Sequence, residues 1–180
     1  MRHHRVKTIL TEIKDIVIRI FIVVFLMTFV MSQNKIPSGS MLPTLNIKDR
    51  LLVSMLPYYY RSPKRGEMVV FNGPDGANWI KRVVGLPGEV IDIQDGNVYI
   101  NGEYLDESYY LPEEGISALN PILDTVVTYP YTIPEGYYFL LGDNRLESYD
   151  CRYIGAIQEE KITGKAIYRI YPFDQIGKLT

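Results

Sequence analysis

With 180 residues and a formal net charge of −2, the chain has room for one ordinary domain. A composition 47% hydrophobic and 22% charged excludes a disordered chain. The charge is blocked along the sequence, +3 over 1–19, +5 over 35–88, −13 over 89–160 and +3 over 161–180. So large an acidic block speaks against nucleic acid as a partner, because such binders present an uncompensated basic surface.

The first predicted element is apolar. Ile16–Met31 reads IVIRIFIVVFLMTFVM with Arg19 as its only charge. As a helix these residues span about 24 Å, short of a hydrocarbon core of about 30 Å. Extending the span to 13–33, with Arg19 snorkelling toward the headgroups, closes the gap. No small-x-small pattern follows at Met31–Lys35, which favours an uncleaved transmembrane anchor over a signal peptide. A buried core helix is the alternative. The basic residues of the tail 1–12 predict a cytoplasmic N-terminus by the positive-inside rule, which places residues 34–180 outside the membrane.

Beyond residue 50 the apolar runs are short, aromatic or β-branched, and separated by turn signals. Strands are predicted at Leu51–Met55, Glu67–Asn72, Trp79–Val84, Glu89–Ile93, Val98–Asn101, Thr125–Tyr129, Tyr137–Leu141 and Lys165–Tyr171. Asp95-Gly96 and Asn101-Gly102 predict consecutive hairpins. Helix is expected only in the anchor, for a turn or two near Pro43–Ile47, and around Gln158–Ile162. The fold class is therefore mainly β, a small folded-over sheet or barrel behind one N-terminal transmembrane helix. Tyr58-Tyr59-Tyr60 suits either a membrane interface or a cover on the core.

Two counts narrow the chemistry. The histidines are His3 and His4, so histidine-based catalysis and most zinc sites are excluded from the domain. Cys151 is the single cysteine, so neither an intramolecular disulfide nor a cysteine metal cluster can form. Neither a metal nor a cofactor is expected. A catalytic base must be Lys, Asp, Glu or Tyr.

Three motifs carry candidate chemistry. Pro37-Ser38-Gly39-Ser40-Met41-Leu42-Pro43-Thr44-Leu45 exposes a glycine-flanked serine before a turn, although Ser-Gly-Ser alone is ordinary loop sequence. Trp79-Ile80-Lys81-Arg82-Val83-Val84-Gly85-Leu86-Pro87-Gly88-Glu89 places Trp79, Lys81 and Val83 on one face of a strand. Burial there would favour a neutral Lys81, whereas a surface position would leave it an ordinary cation. Gly142-Asp143-Asn144-Arg145-Leu146-Glu147-Ser148-Tyr149-Asp150-Cys151-Arg152 is either a buried polar network or a solvated turn.

In this order the motifs resemble those of bacterial type I signal peptidases, in their compact Gram-positive-like form. Arg65-Gly66-Glu67-Met68-Val69-Val70-Phe71 and Asp95–Gly102 resemble further family segments. The resemblance implies a Ser/Lys dyad peptidase that removes N-terminal signal peptides after Ala-x-Ala sites. Ser40 matches the nucleophile and Lys81 the general base. The Ser38 hydroxyl and the Ser40 N–H match the oxyanion-stabilising pair. Ser148 matches the residue that orients the lysine. Asp143, Arg145, Asp150 and Arg152 match the supporting network, with an Asp150–Arg152 ion pair expected. Ile36, Pro37, Met41, Leu45, Trp79 and Ile80 match the residues of two shallow substrate pockets.

The partners implied are pre-protein signal peptides, anionic lipid headgroups near Met41, Leu42 and Pro43, and the secretion translocon. The location implied is the bacterial plasma membrane, with one pass and an extracytoplasmic catalytic domain. Leu146-Glu147, Cys151 and Glu67 depart from the usual family residues. These departures leave open a specialised or non-catalytic assembly subunit for surface-protein or pilin precursors.

Overall fold

The computed structural model describes residues 2–111 and 125–179, with the side chains of 2–10 and 26–29 left out. A 28-residue helix, α1 (Arg2–Phe29), leads into a domain with twelve strands among the described residues. Its described apolar residues lie open, with Phe21 68% and Val17 58% exposed. Among the described residues no helix is long and apolar enough to cross a membrane. The side chains of the basic tail Arg2, Arg5 and Lys7 lie outside the described residues.

The helix stops at Phe29 rather than continuing to Gln33. Met31–Lys35 forms strand β1, paired antiparallel with β2 (Arg50–Ser54). The strand is mostly polar and lies at a sheet edge, so it shows neither an apolar run nor a buried alternation to predict it by.

The other strands of the larger sheet are β3 (Met68–Asn72), β4 (Asn78–Gly85), β9 (Tyr137–Leu141), β10 (Ile157–Gln158), β11 (Ile162–Tyr171) and β12 (Gly177–Lys178). Their order is β1-β2-β11-β3-β4-β9-β10, with β12 paired to β11. Among the described residues no pairing joins β1 to β10, so the sheet is open rather than a closed barrel. Register shifts in β11 against both β2 and β3 bend the sheet.

The smaller sheet runs β7 (Glu103–Tyr104), β6 (Asn97–Ile100), β5 (Val90–Gln94) and β8 (Tyr131–Thr132). Its two hairpins turn as predicted, because Asp95, Gly96, Asn101 and Gly102 all hold positive φ (48°, 81°, 54° and 83°), the requirement of a type I′ turn. The strand expected at Thr125–Tyr129 does not form. Val127 is buried in the core from irregular backbone, and the pairing residues are Tyr131–Thr132.

β3 shows why there are two cores. Val69 and Phe71 join a cluster that spans both sheets with Val83, Ile91, Val98, Ile133 and Phe139. Met68 and Val70, on the opposite face, join Ile36, Met41, Leu45, Leu51 and Val53. All four side chains are essentially solvent-free, as expected for a strand covered on both faces.

Of the expected helical turns, Glu159–Lys161 forms one 3₁₀ turn. Residues 43–47 form no helix and close instead through Leu42 N–H to Gly39 O (3.1 Å) and Leu45 N–H to Met41 O (2.8 Å). Three further single-turn helices among the described residues lie outside the expected segments: α2 (Pro57–Tyr60), α3 (Cys151–Ile154) and a 3₁₀ turn at Phe173–Gln175. In α2, Tyr58 bonds Glu67 while Tyr59 and Tyr60 stay 69% and 86% exposed. Glu67 also takes Arg61, the Lys64 N–H and Lys165, the last of them 98 residues away in sequence.

Candidate active site

The three motifs converge on one cavity of about 500 Å³. Ser38, Gly39 and Ser40 reach it from the turn between β1 and β2, Trp79, Ile80 and Lys81 from β4, and Glu147 and Tyr149 from the loop after β9. Ile36 and Pro37 also line it. Met41 and Leu45 do not, because both are fully buried in the second core cluster beneath the Ser40 turn. In the same turn Pro43 is exposed.

Lys81 pairs in register with Val69, so its side chain projects from the sheet face that carries the main core. It is 4% exposed, and its ammonium has no ion-pair partner among the described residues. Burial is the dominant influence and lowers its pKa to about 8. Asp150, the Cys151 thiol and Asp143 oppose that fall, and Arg152 adds to it. The Nζ lies 5.8 Å from the centre of the Trp79 ring. A lysine held in this way is partly neutral at physiological pH, which is the requirement for a base.

Gly142 forms the floor between the two serines. A Cβ there would lie 2.1 Å from Ser148 Oγ and 2.4 Å from Ser40 O, so only glycine fits. The Ser148 hydroxyl is buried and has no hydrogen-bond partner among the described residues. Asn144 ties the loop to the serine turn, donating its N–H to Ser40 O and its side-chain amide to Gly39 O, both at 3.1 Å. Gly142→Ala is expected to lower kcat by roughly 100-fold, because the displaced serines lose their relative placement. Steady-state kinetics on the folded variant checks this.

The supporting residues are buried rather than solvated. Arg152 grips Asp150 with Nε at 2.8 Å and Nη2 at 2.9 Å, the expected pair, and Asp150 also accepts the Gly142 N–H at 2.9 Å. Asp143 is held by Arg82, with Nε at 2.9 Å and Nη2 at 2.7 Å, and Arg145 is paired with Glu107. Arg82 and Glu107 were not foreseen in these roles. Arg82 stands in a recognised motif, but its partner is 61 residues away, and no local signal marks Glu107. Cys151 packs in the core, where its Sγ accepts the Leu140 N–H at 3.1 Å, and burial raises its thiol pKa.

The model of the family described as "Signal peptidase, peptidase S26" matches residues 9–171. The chain belongs to that family. It is 40% identical over 174 residues to a probable signal peptidase I-2 of Synechocystis sp., covering 93% of this chain and 75% of that protein. It is 32% identical over 179 residues to signal peptidase I S of Bacillus subtilis, covering 96% of this chain and 94% of that protein. Among solved structures, a signal peptidase I of Enterococcus faecalis is 32% identical, covering 58% of this chain and 97% of that one, with a TM-score of 0.47. Family membership makes the Ser40–Lys81 cavity the candidate active site of a signal peptidase.

Proposed function

We propose that this signal peptidase cuts exported pre-proteins with a Ser40–Lys81 dyad. The observation that carries the reading is a buried lysine with a pKa of about 8 opening into the same cavity as Ser40 and Ser38. Neutral Lys81 takes the Ser40 proton as Oγ attacks the scissile carbonyl carbon. The resulting oxyanion is held by the Ser38 hydroxyl and the Ser40 N–H. The Lys81 ammonium then protonates the leaving amine as the C–N bond breaks, and a water deprotonated by Lys81 hydrolyses the acyl-enzyme. The buried Ser148 hydroxyl, without a hydrogen-bond partner among the described residues and packed with the Ser40 carbonyl around Gly142, is the group available to steady the lysine.

Ile36, Pro37, Trp79 and Ile80 give the cavity an apolar lining suited to small side chains at the last and third-last positions before the cut. A substrate leaving the bilayer would meet this lining if α1 serves as the anchor. The exposed Ile16, Val17, Phe21 and Phe25 support that role, because water does not favour so large an open apolar surface. The proposed setting is therefore the bacterial plasma membrane, with the basic tail inside, the domain outside, and the translocon and anionic lipid as neighbours. Glu147 on the cavity wall, where the family usually carries Asn, favours a narrower set of clients such as surface-protein or pilin precursors.

The test incubates the full chain in detergent with a precursor that bears an Ala-x-Ala site, and maps products by mass spectrometry. One cut after the second Ala, absent with Ser40→Ala, is the expected result. Binding of several precursors without any cut would instead support a non-catalytic assembly subunit.

A further inference from the structure

The loop that carries Ser148 is gripped from behind by a segment that belongs to none of the three motifs. Glu107 follows β7 and is 2% exposed. Its carboxylate accepts both terminal nitrogens of Arg145, Nη1 at 2.6 Å on Oε2 and Nη2 on Oε1. Burial draws the Arg145 pKa down, and the bonds and charge of Glu107 outweigh it, so the net shift is upward. Tyr110 donates its hydroxyl to Glu107 and lays its ring 4.2 Å from the guanidinium carbon of Arg82, the partner of Asp143. Two neighbouring residues of the loop, Asp143 and Arg145, are thus held through one segment.

The connection to the chemistry runs through Gly142. Arg145 Nε–H donates to Gly142 O at 3.0 Å, on the residue whose Cα faces Ser148 Oγ and Ser40 O. A two-bond Arg–carboxylate pair fixes the plane of the guanidinium, and through it the direction of that Nε–H. Rotating the Gly142 peptide would move the surface against which both serines rest.

We propose that Glu107 is a positioning residue, which acts through Arg145 and the Gly142 carbonyl to hold Ser148 and the Ser40 backbone in the arrangement the dyad uses. The proposal rests on the dyad reading. It gives the smaller sheet a function as the base from which residues 105–111 brace the reacting groups.

The test compares Glu107→Gln, Glu107→Asp and Ser40→Ala with the unchanged full-length protein in the same detergent, using thermal melting and steady-state kinetics on a precursor peptide. Glu107→Gln is expected to lower kcat about tenfold or more with KM little changed, since misplacement penalises the chemical step rather than binding. Combining it with Arg145→Met is expected to add little to the loss from Arg145→Met alone, because both act through one contact. A folded Glu107→Gln protein with unchanged kcat, or one whose loss lies in KM, overturns the proposal. Should Glu107→Gln fail to melt cooperatively, Glu107→Asp, which keeps the charge but shortens the reach, is judged by the same readings. Cleavage that survives Ser40→Ala would overturn the dyad itself, which is a separate outcome.

Discussion

Lys81→Met is expected to abolish cleavage and, at the same time, to stabilise the fold. Removing the base should cost at least about 10⁴-fold in kcat/KM, the scale seen when one member of a nucleophile–base unit is lost. The stabilisation follows from the lysine's displacement from its ordinary 10.5 to about 8. Below about 8 both folded and unfolded chains carry the proton, so the cost of burying the ammonium is fully present, on the order of 3 kcal/mol. Between about 8 and 10.5 the unfolded chain still holds a proton that the folded one has shed, so stability rises with pH. Methionine has similar bulk and no charge to bury. Denaturant titration at pH 7 should therefore show Lys81→Met more stable, with the difference shrinking by pH 10; equal stability at both would contradict a buried, depressed lysine. The same displacement predicts that kcat/KM of the unchanged enzyme climbs about tenfold per pH unit and levels above about 8. The groups that set this limb with Lys81 are Asp150, Asp143, Arg152 and the Cys151 thiol.

Asp143→Asn is expected to lose about 3–5 kcal/mol of stability, the usual cost of leaving one member of a buried ion pair unpaired. The group left without its carboxylate would be Arg82, whose side chain is fully buried. In a chain of this size that corresponds to a fall of roughly 6–20 °C in Tm. The Gly66 carbonyl, bonded by Arg82 at 2.7 Å, and the Tyr110 ring limit the loss toward the lower end. Adding Arg82→Met should restore much of the stability, because two apolar or neutral groups tolerate burial better than one bare charge. Activity should not return, since in either case the loop beside Gly142 loses the tie between Asp143 and Arg82. Calorimetry of the single and double variants, with cleavage assayed in parallel, separates these effects.

Strand and turn signals that are local suffice for part of the fold. Tyr137–Leu141 forms with the bounds expected, and both Asx-Gly turns close two-residue hairpins. Where the signal depended on partners, the reading missed. β1 is polar and becomes a strand only because β2 lies beside it. Val127 has the residue type of a strand yet serves as core filling, since irregular backbone can bury a side chain equally well. Met41 and Leu45, expected on a pocket wall, lie beneath it; apolar residues in a short turn do not announce which face will be covered.

The sequence by itself determined the chemistry available. With histidine confined to positions 3 and 4, a base in the domain had to come from another residue type, and Ser40, Lys81 and Ser148 were identifiable from motifs that are contiguous in the chain. Tertiary structure alone decided which of these groups meet and in what state. The Arg82–Asp143 and Arg145–Glu107 partnerships join residues 61 and 38 positions apart, and no local pattern encodes such a choice. The lowered pKa of Lys81 is likewise a property of the assembled fold. It arises from the removal of water by atoms of several separate strands and loops, a quantity that exists only once they have packed together.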